Sequence, residues 1–114
     1  MGVGMKLEDI VPPLELCKQI PEGEFSDSVF VWTGLHHNVD YIVQNREFAI
    51  WNMIIAPAPT PAEIMEDLNI DGICIEYRDS SPHWVVASPY TDKTPAGDNP
   101  ATAALKLWMK VRLE

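Results

Sequence analysis

Two helix starts led by proline, Thr60-Pro61-Ala62-Glu63 and Asn99-Pro100, bracket two short strand patterns and confine the stretch from Pro57 to Trp108 to a helix-strand-strand-helix unit. Proline suits the first helical position, because its φ is already helical and the donor it lacks has no intrahelical partner there. Thr60 supplies an N-cap oxygen, and Glu63 reaches back to the cap N–H. Ile64, Met65 and Leu68 then form one apolar stripe, and Asn69 or Gly72 ends the helix. In the second helix Ala101, Ala104, Leu105, Trp108 and Met109 recur at the spacing of one buried face. Lys106, Lys110 and Arg112 lie toward its negative, C-terminal end. Between the helices Ile73, Ile75 and Tyr77 alternate with Cys74, Glu76 and Arg78, the period of a half-buried strand. His83 to Ala87 follows the turn Asp79-Ser80-Ser81-Pro82 as a second strand.

The chain before this unit reads as helix, strand, strand, strand. Pro13 opens a short helix carrying Leu14, Leu16, Cys17 and Ile20, which Pro21 and Gly23 stop. Ser28 to Thr33 is an apolar run of strand length, Gly34 to Asn38 a turn, and Val39 to Gln44 a hairpin partner with Val39, Tyr41 and Val43 on one face. Phe48 to Ile55 is rich in β-formers and is closed by Pro57 and Pro59, so a third strand is expected there. The order α-β-β-β-α-β-β-α predicts an α+β fold in which a mainly antiparallel sheet of about four to five strands carries helices on one face. A weak internal repeat of helix and two strands, Pro13 to Gln44 and Pro61 to Ala87, runs through this order. A chain of 114 residues has the size of a single domain, here 1–114 with residues 1–6 flexible and Met5 a possible native start.

Charge narrows the function. Seventeen acidic residues against eight basic ones give a net charge of −9, split almost evenly between the two halves with no basic patch. Nonspecific nucleic-acid affinity comes from neutralising phosphates, so DNA and RNA are not expected as partners. No apolar run approaches the about 20 residues that cross a membrane, and the start lacks the apolar core of a secretory signal and the Ser or Thr of a myristoylation motif. A cytoplasmic location is expected, with Cys17 and Cys74 as free thiols.

Few residue groups suggest chemistry. His36, His37 and Asp40 share a turn and the start of a strand, and His83 lies at another hairpin, but no metal-ligand spacing is present and no metal site or cofactor is expected. Cys74 and His83 could meet across adjacent strands as a nucleophile and base, without an oxyanion loop or an orienting third residue. Glu63 is explained by capping, Glu66 and Asp67 by a solvated face, and the four tryptophans by core packing. Ser88 to Asn99, with Pro89, Pro95 and Gly97, is long for a connection in a compact domain, and long loops often carry binding. Tyr90, Asp92 and Lys93 are its candidate contact residues for a protein partner; a plain crossover to the last helix explains the same length.

Three strings carry a family likeness: Val11-Pro12-Pro13-Leu14-Glu15-Leu16-Cys17, Pro57-Ala58-Pro59-Thr60 with Ala62-Glu63-Ile64-Met65, and Asn99-Pro100-Ala101-Thr102-Ala103-Ala104-Leu105-Lys106-Leu107-Trp108. With them the chain resembles small uncharacterised proteins of phages, prophages and mobile elements of gut bacteria. The resemblance implies a bacterial or phage origin, a cytoplasmic location and a helper or host-interacting role, and it transfers no active-site residue. The expected function is a noncatalytic protein-interaction or accessory module. The alternatives are an acidic inhibitor of a host nucleic-acid-binding protein and a small enzyme of unrecognised class.

Overall fold

The computed structural model describes residues 7–34, 41–49, 53–69, 72–79, 84–87 and 95–113. The chain divides into two compact units, Met1–Thr60 and Pro61–Glu114. Each holds a three-stranded antiparallel sheet, so the α+β class and the antiparallel pairing hold while the expected single sheet is replaced by two.

In the first unit, helix α1 (Leu14–Cys17) starts after Pro13, whose extended ψ of 156° and missing donor suit the N-cap. Strands β1 (Phe30–Gly34), β2 (Tyr41–Asn45) and β3 (Ile54–Ala58) make a sheet in the order β2-β1-β3. β1 and β2 pair where the hairpin is expected, Trp32 opposite Val43. The third strand lies later than Phe48–Ile55. Arg46–Phe48 forms a 3-10 turn instead, because the Asn45 side chain accepts from the Glu47 N–H at 2.9 Å and caps it. Strand β3 runs on through Pro57, which the sequence reading placed outside any strand.

Ladder geometry explains how that proline is tolerated. The Arg46 N–H donates to the Val29 carbonyl, which extends the β1–β2 ladder by one hydrogen-bonded pair. Alternation then turns the polar groups of Val31 and Thr33 toward β2 and those of Phe30, Trp32 and Gly34 toward β3. Pro57 stands opposite Val31, so its nitrogen faces away from β1 on an edge strand, where a missing donor is harmless. A bulge between Trp32 and Thr33 ends the regular register.

The core of the first unit is built on Trp32. Its indole Nε1 donates to the Pro12 carbonyl at 3.0 Å, the Cys17 thiol donates to the same oxygen at 3.4 Å, and Val11, Pro12 and Cys17 are buried beside them. The short helix is thereby fastened to the sheet, and α1 packs against β3.

The second unit follows the predicted pattern with one addition. Helix α2 (Pro61–Leu68) begins at the proline and ends at Asn69, whose φ of +47° is the left-handed conformation that asparagine tolerates better than most residues. Strands β4 (Cys74–Tyr77) and β5 (Trp84–Ala87) pair antiparallel, and a two-residue strand β6 (Ala96–Gly97), inside the stretch read as an irregular loop, pairs with β5. The sheet order is β4-β5-β6, so its middle strand is second in sequence whereas that of the first sheet is first. The two units therefore thread differently, which separates them from a simple duplication. Tyr77, expected on a half-buried face, is 59% exposed at the edge of this sheet and meets Trp84 edge-to-face at 5.2 Å.

Helix α3 (Pro100–Leu113) is capped as expected: Asn99 Oδ1 accepts from the Thr102 N–H at 2.7 Å and from the Thr102 hydroxyl at 2.9 Å. Burial is broader than one stripe, since Ala101 to Leu105, Leu107 and Trp108 are all buried. The helix packs on β5 and β6 and also against α2. Lys106 Nζ reaches the Ala96 carbonyl at 2.8 Å and Arg112 Nη2 the Asp67 carbonyl at 2.7 Å, so two of the three terminal cations tie the helix to its neighbours.

Gly97 marks the tightest approach. A Cβ there would lie 2.5 Å from Thr102 Cγ2 and 3.1 Å from the Ala103 nitrogen, and Thr102 is held by its bond to Asn99. Gly97→Ala is expected to cost about 1–3 kcal/mol through overpacking. Gly34→Ala, whose new methyl meets the movable Ile55 Cδ1 at 2.9 Å and the Tyr41 ring at an ordinary contact distance of 3.4 Å, should cost less than about 1 kcal/mol. Urea midpoints of the two variants test the ranking, and equal losses would refute it.

Candidate functional site

A groove of about 360 Å³ opens on the first unit. One wall is the end of α1 and the turns after it, Cys17, Lys18, Ile20 to Glu24 and Ser26; the other is β3 from Ile54 to Pro57, with Arg46 contributing from the far side of the sheet. Why the wall bends so sharply can be read from the backbone: Gly23 has φ +94°, and Phe25 holds the left-handed conformation at φ +56°, unusual for an aromatic residue.

Arg46 secures that bend. Its Nε donates to the Ser28 carbonyl at 2.8 Å, and its Nη2 donates to the Ser28 hydroxyl at 2.9 Å and to the Phe25 carbonyl at 3.5 Å. The Ser28 hydroxyl in turn donates to the Phe30 carbonyl at 2.8 Å, joining the latch to β1. All three acceptors are neutral. Among the described residues no carboxylate lies within salt-bridge distance of Arg46, although Glu22 and Glu24 line the same groove. Lys18, on the same wall, sits 5.6 Å from the centroid of the Tyr41 ring and 4.0 Å from Glu15. The apolar lining is Ile20, Ile54, Ile55, Ala56 and the two prolines. Two residues beyond Arg46, at the end of its 3-10 turn, Phe48 is 78% exposed.

The thiol in the wall is not a nucleophile. Burial pushes Cys17 up to about 12, and the opposing pull of Trp32 is smaller. A thiol at that value holds almost no thiolate at neutral pH. Cys74 is exposed on β4, and desolvation and the Glu76 carboxylate 3.6 Å away raise it as well. Alkylation of the folded protein at pH 8 should therefore modify Cys74 slowly and Cys17 only after unfolding, as peptide mapping would show; equal labelling of both would contradict the packing. Because the folded Cys17 titrates near 12 and an unfolded thiol near 9, the unfolded chain releases its proton first as pH rises. The contribution of the neutral thiol is complete below pH 9 and is lost between pH 9 and about 12. Cys17→Ala should flatten the fall of stability across that window.

Tyr90, Asp92 and Lys93, the residues expected to touch a partner, lie outside the described residues, as do His36, His37, Asp40 and His83. Among the described residues no group of three His, Cys, Asp or Glu side chains is placed to hold a metal ion. Sequence reading missed Arg46 and Phe48. The signal was present in Asn45-Arg46-Glu47, where an Asn cap starts a turn and breaks the apparent strand.

These features define an α+β chain of two small antiparallel units with an open groove on the first. Comparison finds no family model, no curated protein and no solved structure that matches it.

Proposed function

We propose that the chain is a noncatalytic protein-interaction or accessory module of phage or mobile-element origin, working in the cytoplasm, with the groove of the first unit as its contact surface. The observation that supports this reading is the groove itself: an anchored guanidinium without a carboxylate partner among the described residues, in a lining that also holds the exposed Ile55 and the half-buried Ile54. Arginine and aromatic side chains are the groups that dominate binding at interfaces, and the exposed Phe48 follows Arg46 by two residues in the same turn. The one thiol of the wall is buried and held protonated, so it offers no thiolate for covalent chemistry there. The Tyr90, Asp92 and Lys93 loop is a second contact surface in this proposal.

A second reading, an acidic inhibitor of a host nucleic-acid-binding protein, draws on the exposed carboxylates Glu8, Asp9, Glu15, Glu22, Glu24 and Asp27 of the first unit. Pull-downs with wild type, Ile55→Ser and Tyr90→Ala separate the readings when run beside gel shifts with single- and double-stranded nucleic acid. Capture that weakens in Ile55→Ser and survives high salt is expected. Capture abolished by moderate salt favours the acidic inhibitor. Retention of nucleic acid itself ends both, since −9 net charge without a basic stripe releases no phosphate counterions.

A further inference from the structure

We infer that the groove takes one kind of occupant: an extended segment of a partner protein that carries a single carboxylate next to an aliphatic side chain, with a cation flanking it. The inference rests on the reading of the chain as an interaction module and names the chemistry of the partner. Charge and shape carry it.

Two cations line the groove: Lys18 is exposed and engaged with the Tyr41 ring and Glu15, whereas Arg46 is half-buried and held rigidly. Its Nε and Nη2 are committed to Ser28 and Phe25, which fixes the guanidinium plane before any ligand arrives. A cation held by neutral acceptors keeps its full charge, and a carboxylate is the group that meets a guanidinium with charge-assisted hydrogen bonds. Glu22 and Glu24 are exposed on the wall and pair with no cation within salt-bridge distance among the described residues, so they offer a negative rim around a positive interior. That arrangement rejects polyanions such as nucleic acid and selects one carboxylate followed by a lysine or arginine. Ile54, Ile55 and Ala56 supply the surface for the aliphatic neighbour.

Shape decides for a peptide over a free small acid. A volume of about 360 Å³ is near the lower end of ligand sites, yet Pro21 to Glu24 and Ser26 on one wall are all exposed. A small ligand needs enclosure to bury most of its surface, whereas a chain can lie in an open trough and leave at both ends. Addition of a strand to β3 is not the mode, because Pro57 presents no donor on that edge.

The test is fluorescence anisotropy with the labelled, terminally blocked peptide Gly-Leu-Glu-Lys-Gly, its Glu→Gln form, its Lys→Glu form, and hexanoate as a competitor. Wild type should bind the first peptide, and the Gln and acidic forms should each bind at least about tenfold more weakly, the loss expected for one charge-assisted contact. Arg46→Gln should bring the ratio between the Glu and Gln peptides close to one. Since Arg46 also latches the Phe25 turn, Ile55→Ser serves as the second variant: it should weaken every peptide alike and leave that ratio intact. Absence of binding at millimolar peptide, equal affinity for the Glu and Gln forms, or a ratio that survives Arg46→Gln overturns the inference. Hexanoate competing better than the peptide also overturns it, in favour of a small-acid site. If the peptides fail while a partner is still captured and Ile55→Ser leaves capture unchanged, the occupant named here is wrong and the module reading stands on another surface. If both assays fail, the module reading falls with it.

Discussion

Trp108→Ala is expected to lower the unfolding free energy by about 3–5 kcal/mol, the range for truncating a buried aromatic. Trp108 is 1% exposed on α3, and its indole donates to Asp67 Oδ2 on α2 at 2.7 Å. Two losses follow from one change. The cavity left among Ala104, Leu105 and their neighbours is the larger, because close-packed helices relax only partly around it. The freed Asp67 carboxylate costs less, since it is 39% exposed, lies 3.8 Å from Arg112 and can rehydrate. Asp67→Asn keeps an acceptor for the indole, so its effect should stay below about 1 kcal/mol. Urea titration followed by circular dichroism measures both, and a loss under about 1 kcal/mol for Trp108→Ala would put the indole on the surface.

Trp32→Ala is expected to be of similar size, about 3–5 kcal/mol, for a different reason. Trp32 is the shared partner through which the Val11–Cys17 segment is fixed to β1: its Nε1 and the Cys17 thiol meet at one buried carbonyl, that of Pro12. Removing the indole opens a void under α1 and takes away the stronger of the two donors to that oxygen. The consequence reaches beyond stability, since the segment that follows α1 is a wall of the groove. Cys17 should become alkylated in the folded variant at a rate approaching that of Cys74. Unchanged protection of Cys17 would mean that α1 is held by something other than Trp32. Trp32→Phe, which keeps most of the volume and loses the N–H, should cost roughly 1–2 kcal/mol and leave the thiol protected.

The candidate site was less legible than the fold. Arg46 reads in sequence as one cation after a strand, and its role appears only when the turn at Phe25–Ser28 is folded against it. Phe48 fits a strand pattern by composition, because alternation over so short a run does not separate a strand from a capped 3-10 turn. Cys17 could be placed on the apolar side of its helix, but the shared carbonyl depends on a contact with Trp32 fifteen residues on.

Local chemistry determined the elements. Pro13, Pro61 and Pro100 start α1, α2 and α3, Asn69 and Asn99 end one and cap another, and the apolar runs at Phe30–Thr33 and Trp84–Ala87 become the middle strands of the two described sheets. These signals act within about four residues, through fixed φ angles and cap hydrogen bonds, so no distant part of the chain can overrule them cheaply. Tertiary structure alone decided that there are two sheets and not one, that Pro57 belongs to β3, that Ala96–Gly97 joins β5, and that Tyr77 is exposed. Each of these depends on which strand lies alongside another and which edge is left open. Pairing and edge position are set by register between segments far apart in sequence, and a strand's own side chains do not encode which of its edges will be covered.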